Sequence, residues 1–286
     1  MYWPLALLAA LPTLAARQDE CNYEELVPRI SAAAAELTDA LSTAVAWEDY
    51  LQEVFEVKDP SAPIPRKLRE NTLMLRRRLG SDILLARVTS GQYYGFRDVA
   101  QVNGREVAER GERIRRLFIA LRGDPSQARA LIDESARFNI GYIQRNLNVP
   151  TLVLQLLLPE SVGRIDFRRL IGRDSLDGTC VVAFREVRGP YLVGREDGLA
   201  RPLEGSLAVI PASGRLKRVI VNAAHSAGER IELTVDFDAF EGFDQLLPSR
   251  MTEVYLYPLE LTRCEARYSN YRRFSVESTE EWRIPK

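Results

Sequence analysis

The sequence predicts an α+β fold in which a large curved antiparallel sheet, an incomplete β-barrel, is covered by a few helices. Two observations predict it. Short runs between about residues 178 and 276 alternate apolar and polar side chains, as strands with a single packed face do. Pairs of turn-forming residues separate these runs at near-regular intervals, which is typical of an antiparallel meander. The pairs are Asp177-Gly178, Gly189-Pro190, Asp197-Gly198, Ser213-Gly214, Ala227-Gly228 and Glu241-Gly242.

The N-terminal part of the chain predicts a helix followed by a strand. Glu24–Ala46 carries apolar residues at helical spacing, with small alanines suited to close packing on a sheet. Trp47–Val57 then reads as a strand, and Asp59–Pro65 contains three prolines and is predicted to be a loop.

The middle of the chain mixes both kinds of element. Leu73–Arg78 and Ile83–Val88 are predicted as two strands flanking the turn Gly80-Ser81-Asp82. Tyr93–Val102 is a further strand, and its end at Asn103-Gly104 is the strongest hairpin signal in the sequence. Helices are predicted at Glu109–Leu121 and from the capping residue Asp124 to about Gly141, while Thr151–Leu158 fits either a buried strand or a short helix.

Strands dominate the sequence from Arg164 onward. Arg164–Ile171 is one, and the more apolar Thr179–Val187 is predicted to be central in the sheet. In Arg230–Phe240 the alternation separates a dry face from a wet face, and Leu216–Ala223 and Met251–Tyr257 continue the pattern.

The first residues have the features of a secretory signal peptide. Trp3–Ala16 is apolar and uncharged, ends in small residues and gives way abruptly to polar sequence. We therefore expect residues 1–16 to be a signal peptide, residues 17–286 to form one half-barrel-like domain with an N-terminal helix, and the protein to be periplasmic or secreted. A membrane anchor is the alternative, but the run is shorter than the roughly 20 residues that a spanning helix needs, and no later stretch is apolar enough to span.

Charge and cysteine content restrict which partners, disulfides and cofactors the sequence predicts. With 39 basic and 40 acidic residues, no overall field favours a nucleic-acid partner, and Arg76-Arg77-Arg78 is divided between two faces by strand alternation. Export permits one disulfide among Cys21, Cys180 and Cys264. Cys180 and Cys264 lie on predicted strands and are a possible pair, with three isolated thiols as the alternative. No CxxC motif or phosphate-binding glycine loop is present, so no metal or other cofactor is predicted.

No residue is predicted to be catalytic. His225 is the one histidine, near a predicted turn, and no nucleophile elbow accompanies it. Asp236, Asp238 and Glu241 form a loose acidic cluster, read as a polar outer face rather than a calcium site or glycosidase pair. Glu186 lies in an apolar strand and, if it points inward, needs a partner such as an arginine.

Several stretches carry a resemblance. The closing Glu265–Phe274, together with Arg77–Val88, Gly95–Val99, Glu134–Gly141 and Asn148–Leu152, resembles a group of secreted, mostly uncharacterised bacterial proteins. The strand-rich part is more distantly similar in pattern to the periplasmic lipoprotein-carrier (LolA/LolB-like) half-barrels. That similarity implies an incomplete antiparallel barrel closed by helices, with space for acyl chains. No motif of lipoprotein handover is present, and a fold does not fix a function.

Three functional hypotheses follow. The first is an exported, non-enzymatic carrier of a lipid or other apolar ligand, and the second is a structural or partner-binding envelope protein with a filled core. The third, a carboxylate-dependent hydrolase, is the least favoured. Aromatic side chains near the end of the chain are the candidate lining of a ligand groove, with ordinary cross-strand packing as the alternative. They are Tyr255, Tyr257, Tyr268, Tyr271 and Phe274.

Overall fold

The computed structural model describes residues 21–57, 72–87, 93–111, 133–142, 145, 148–170, 178–193, 202–224 and 230–273. Some sequence predictions lie outside these residues: the signal peptide at 1–16, His225, Phe274, and most of the helices at Glu109–Leu121 and from Asp124 onward.

All eleven strands of the described chain belong to one antiparallel sheet, with β4 at one edge and β5 at the other. The spatial order is β4-β3-β2-β1-β11-β10-β9-β8-β7-β6-β5, so the first and last strands pair in the middle of the sheet. The strands are β1 Ala44–Glu56, β2 Thr72–Arg87, β3 Tyr93–Val102, β4 Arg105–Glu106, β5 Ile165–Arg169, β6 Cys180–Glu186, β7 Glu204–Val209, β8 Leu216–Ala224, β9 Arg230–Ala239, β10 Leu246–Leu256 and β11 Glu260–Arg273.

Helix α1, Tyr23–Ser42, lies against one face of this sheet, hereafter the inner face. The helix contacts β2 near one edge and also β5 at the opposite edge. In a flat sheet those strands would be roughly 38 Å apart at about 4.8 Å per strand, which exceeds the roughly 30 Å length of a 20-residue helix. The sheet therefore curves around α1, as predicted.

The core is the aliphatic inner face of β6–β10 packed on α1 and on two short helices. Inward residues of the strands are almost fully buried, and so are Leu26, Ile30 and Leu37 on the helix. Helices α2, Leu154–Leu157, and α3, Pro159–Val162, follow one another beneath α1. The structure thus identifies the apolar run at 151–158 as a short buried helix. Among the described residues, no helix is long and apolar enough to cross a membrane.

Two predicted boundaries are wrong for identifiable reasons. α1 ends at Ser42 rather than Ala46, because Ala44 and Ala46 already belong to β1 and point into the core. Gly80-Ser81-Asp82 is not a turn: β2 continues through it, with a register shift against β3 between Gly80 and Ser81. A Cβ on Gly80 would lie 2.7 Å from the Trp47 ring of the neighbouring strand, so this glycine is required by close packing.

The hairpin at Asn103-Gly104 is confirmed, with φ of 50° and 76°, and so is the turn at Gly242, with φ of 80°. β7 had no counterpart among the predicted strands; its exposed and half-buried residues from Glu204 to Ser206 weaken the apolar alternation.

The predicted cysteine pairing is also wrong. Cys180 forms a disulfide with Cys21, at a Cα–Cα distance of 5.7 Å, and Cys264 is a free, buried thiol. Cys180 lies on β6 and Cys264 on β11, with four strands between them in the sheet, so strand location alone did not make them neighbours. The disulfide instead ties the start of α1 to the edge region of the sheet.

Candidate functional site

The four described aromatics of the predicted lining lie in different surroundings. Tyr255 and Tyr268 are buried on the inner face, while Tyr257 is half-buried at the end of β10. Tyr271 packs on Phe240 and Phe243, with ring centroids 4.6 and 5.9 Å away, and donates a hydrogen bond of 2.7 Å to the Pro248 carbonyl. The structure therefore does not join all of them in one groove.

Tyr271 borders a small apolar cleft where α1, the sheet and the segment before α2 meet. Its volume is about 10 Å³, close to the minimum that one water molecule needs. The cleft is hereafter defined by its lining: Leu41, Ala44, Ala46, Ile83, Leu84, Leu85, Pro150, Thr151, Pro248 and Tyr271. Apart from the Thr151 hydroxyl and the Tyr271 phenol, these side chains are apolar.

A buried ion pair crosses the inner face beside this apolar region. Arg97 on β3 donates hydrogen bonds of 2.5 and 2.8 Å to Glu48 on β1, and neither side chain is exposed to solvent. The two side chains meet above the intervening strand β2, at Ser81, a small residue that pairs with Glu48. Arg97 also donates 2.9 Å to the Asn148 carbonyl and lies 4.4 Å from the Tyr50 ring centroid. It therefore fixes both the sheet and the segment before α2.

A second buried arginine, Arg145, reaches into the same face. Its guanidinium donates to the Gln52 amide oxygen, to the Cys264 sulfur and, at 3.4 Å, to the Tyr50 hydroxyl. It also donates 3.0 Å to the Ile140 carbonyl, and its Cζ lies 5.4 Å from the Tyr255 ring centroid.

Glu253 completes this group, hereafter the inner polar cluster: Glu48, Tyr50, Gln52, Arg97, Arg145, Glu253, Tyr255 and Cys264. One Glu253 carboxyl oxygen accepts 2.7 Å from the Tyr255 hydroxyl. The other oxygen is buried and has no hydrogen-bond partner, and the same holds for Nε of Arg145. The cluster is therefore only partly satisfied.

Burial and neighbouring charge shift the titration of this cluster. Burial, Cys264 and Glu253 raise the pKa of Tyr50, and burial and Glu253 raise the pKa of Tyr255. Burial would lower the pKa of Arg97, but the charge and hydrogen bonds of Glu48 outweigh it and raise that pKa. Burial, with Glu253, raises the pKa of the Cys264 thiol to about 12. Neighbouring groups outweigh burial at Arg145 as well and raise its pKa. Both arginines are therefore charged and the phenols and thiol neutral at neutral pH.

The acidic candidates from the sequence lie elsewhere. Asp236 is 2.5 Å from Arg218, and Asp238 is 4.0 Å from Lys217, both across β8 and β9. Within the described ranges, no three His, Cys, Asp or Glu side chains are placed to hold a metal ion.

Glu186 points inward, and among the described residues no arginine forms an ion pair with it. It accepts backbone N–H hydrogen bonds from Leu192 at 3.0 Å and Leu203 at 2.7 Å. The Arg76–Arg78 run is divided as predicted, with Arg76 paired to Glu53 and Arg78 to Asp49, while Arg77 donates to the Phe138 carbonyl.

Five of the six large exposed apolar side chains in the described chain lie at one end of the sheet. β1 brings them together: Phe55 pairs with Leu73, the Val57 amide donates to the Leu259 carbonyl, and Glu56 pairs with Glu260. The Glu260 carboxylate in turn accepts from the Tyr142 amide at 2.9 Å. This apolar rim consists of Leu73, Met74, Leu75, Tyr142 and Leu259.

The sequence analysis did not single out the inner polar cluster, although a signal was present. Glu253 shares the inner parity of Met251 and Tyr255, and Glu48 and Gln52 share that of Tyr50. Charged or amide residues at the inward, otherwise apolar positions of a strand mark such a cluster. Arg145 carries no such signal, because it lies outside the regular elements.

Comparisons with known proteins give a distant likeness. No protein-family model and no curated protein matches the chain. A solved structure described as an outer membrane lipoprotein-sorting protein domain from Vibrio parahaemolyticus is similar at 11% identity and a TM-score of 0.40. The match covers 91% of this chain and 97% of that one. These values are too low to transfer a function.

Proposed function

We propose that the protein is an exported, non-enzymatic carrier that binds a lipid or other apolar ligand between the inner face of the sheet and the segments covering it. The observation that carries the proposal is the apolar cleft, where α1, β1–β2 and Pro150 meet through predominantly apolar side chains. Such a junction separates at a lower cost than a hydrogen-bonded one. The Cys21–Cys180 disulfide supports export, since disulfides persist in oxidising compartments.

In the carrier proposal, the described structure is the closed form, because its cleft is small. A cleft of about 10 Å³ is far smaller than typical ligand pockets of roughly 300 Å³ or more. Ligand entry therefore requires α1 or the Pro150 segment to move away from the sheet. Burial of an acyl chain at about 0.8 kcal/mol per CH₂ supplies roughly 8 kcal/mol for ten groups, enough to offset a partial separation.

Uptake of a fluorescent fatty acid tests this proposal. We expect saturable binding to the exported protein and, in gentle mass spectrometry, a bound mass in the lipid range. Ala46→Leu fills the cleft from its floor and should weaken fatty-acid binding about tenfold, a loss of about 1.4 kcal/mol. Ala208→Leu makes the same change on the opposite, outer face and should leave binding unchanged. The mass of the protein alone, together with no uptake of the fatty acid, would overturn the carrier proposal.

The apolar rim favours a second function, a partner-binding envelope protein with a filled core. Its side chains are 46–90% exposed and lie together at one end, an arrangement that marks interaction surfaces. A photo-crosslinking residue replacing Met74 should then give one discrete protein adduct in cells. The same residue replacing Val187, which is 49% exposed and follows β6, six positions from β1 in the sheet, serves as the control.

A further inference from the structure

The side chains around Arg145 form a pocket on the sheet rather than a second ion pair. Tyr50 and Gln52 come from β1, Glu253 and Tyr255 from β10, and all four point to the inner face. Arg145 belongs to no strand and also donates a hydrogen bond to the Ile140 carbonyl. The walls are thus built by rigid strands, and the occupant is brought by a separate piece of chain.

The fit between Arg145 and these walls is incomplete. No ion pair within 4.0 Å joins Glu253 to a cation among the described residues, although Glu253 is only 1% exposed. One of its oxygens lacks a donor, while Nε of Arg145, nearly as buried, lacks an acceptor. Unsatisfied buried groups are costly. The pocket therefore offers a carboxyl oxygen to which its present occupant donates no hydrogen bond.

The composition of the walls determines which ligand chemistry fits. A carboxylate supplies negative charge, an aromatic ring supplies a cation–π face, and amide and hydroxyl oxygens accept hydrogen bonds. These are the groups that bind a planar guanidinium or a primary ammonium ion.

We propose that Tyr50, Gln52, Glu253 and Tyr255 form a binding pocket for a guanidinium or primary ammonium group, which Arg145 occupies here as an intrachain substitute. A ligand bearing such a group competes with Arg145 and, by displacing it, releases the segment that Arg145 holds on the sheet. This pocket goes beyond the carrier function, because it needs no apolar chain on the ligand.

Emptying the pocket tests the proposal directly. Arg145→Ala removes the substitute, and methylguanidinium chloride at millimolar concentration is the probe. We expect saturable binding by calorimetry and a rise in the melting temperature that grows with probe concentration, as linkage requires. Methylurea has a similar shape without the charge and should give neither effect. Adding Glu253→Gln should weaken methylguanidinium binding at least about tenfold. Equal responses to both probes, or responses independent of Glu253, would overturn the pocket.

A second measurement applies if Arg145→Ala fails to fold. Cys264 is the free cysteine beneath Arg145, and its reaction with a maleimide reports departure of that side chain. If Glu253 attracts the cation, Glu253→Gln in the otherwise unchanged protein should accelerate labelling about tenfold. Glu265→Gln on the outer face, beside Arg267 at 3.0 Å, should not change the rate. Unchanged or slower labelling in Glu253→Gln would contradict the proposal, because an unpaired carboxylate that merely destabilises the core predicts that result. Since neither test uses a fatty acid, their failure leaves the carrier test intact.

Discussion

The Glu48 carboxylate and the Arg97 guanidinium meet across an intervening strand, joined by hydrogen bonds of 2.5 and 2.8 Å, with neither side chain exposed. Their contact locks β1 to β3 over Ser81 and, through the Asn148 carbonyl, fixes the segment that covers this end of the inner face. A buried pair of this kind specifies an arrangement more than it stabilises one.

Removing only one partner of such a pair should nevertheless be strongly destabilising, as in Arg97→Met. It leaves Glu48 buried without its cation, at an expected cost of about 3–5 kcal/mol in the free energy of unfolding. Urea unfolding followed by circular dichroism measures this loss.

Two variants serve as controls for that measurement. Arg76→Met breaks an exposed pair with Glu53 and should cost about 0–1 kcal/mol. The double variant Glu48→Leu/Arg97→Met removes both charges and should recover most of the stability. If Arg97→Met costs no more than Arg76→Met, the buried pair does not hold β1 to β3.

The disulfide gives a prediction of both connectivity and stability. Digestion without reductant should yield a peptide linking Cys21 to Cys180, with Cys264 recovered as the free thiol. Because the bond closes a loop with a sequence separation of 159, its reduction should lower the unfolding free energy by about 5 kcal/mol in the chain-entropy model. A peptide joining Cys180 to Cys264 would contradict the structure.

The sequence predicted the regular part of this molecule well, because strand alternation and turn residues are local signals. Val235 and Phe237 point inward as their parity requires, and Asn103-Gly104 forms its hairpin. Local signals failed where the determining contact lies far along the chain. Gly80 resembles a turn residue until the Trp47 ring is known to lie over it, and Cys180 has no sequence feature that selects Cys21.

The candidate site was harder to predict for the same reason. Tyr255 and Tyr271 were identified as aromatics of the final strands, but their surroundings differ because neighbouring strands and non-strand segments supply them. Tyr255 faces Glu253 and Arg145, whereas Tyr271 packs on Phe240. Which polar residue meets an inward aromatic depends on register across several strands, and one sequence does not specify that register.

The raised pKa of Cys264 predicts a loss of stability at alkaline pH. Its pKa rises from an ordinary 9.0 to about 12 in the folded state, chiefly through burial, so folding favours the protonated thiol. The contribution is complete below pH 9 and is lost as the pH rises toward 12. The slope approaches about 1.4 kcal/mol per pH unit above pH 9.

Cys264→Ala isolates this contribution. Tyr50, Tyr255 and Tyr268 also have pKa values raised chiefly by burial, and that burial is common to both proteins. Between pH 9 and 10.5 the unfolding free energy of Cys264→Ala should fall by up to about 2 kcal/mol less than that of the natural protein. Rapid urea unfolding limits attack of the freed thiolate on the disulfide. Parallel pH profiles for the two proteins would show that the thiol is not protected in the folded state.

The turn between β7 and β8 is predicted to be intolerant of any side chain, because it lies against the backbone of α1. Gly214 has φ of 71°, and a Cβ there would lie 2.3 Å from the Arg29 carbonyl carbon. Gly242 has a similar φ of 80° but no atom within 4 Å of its Cβ position. Gly242→Ala should therefore cost only the left-handed backbone penalty, about 1–2 kcal/mol. Gly214→Ala should cost that penalty and about 1–3 kcal/mol more, as the turn is pushed from the helix. Urea unfolding of both variants measures the difference, and equal losses would mean that the turn does not support α1.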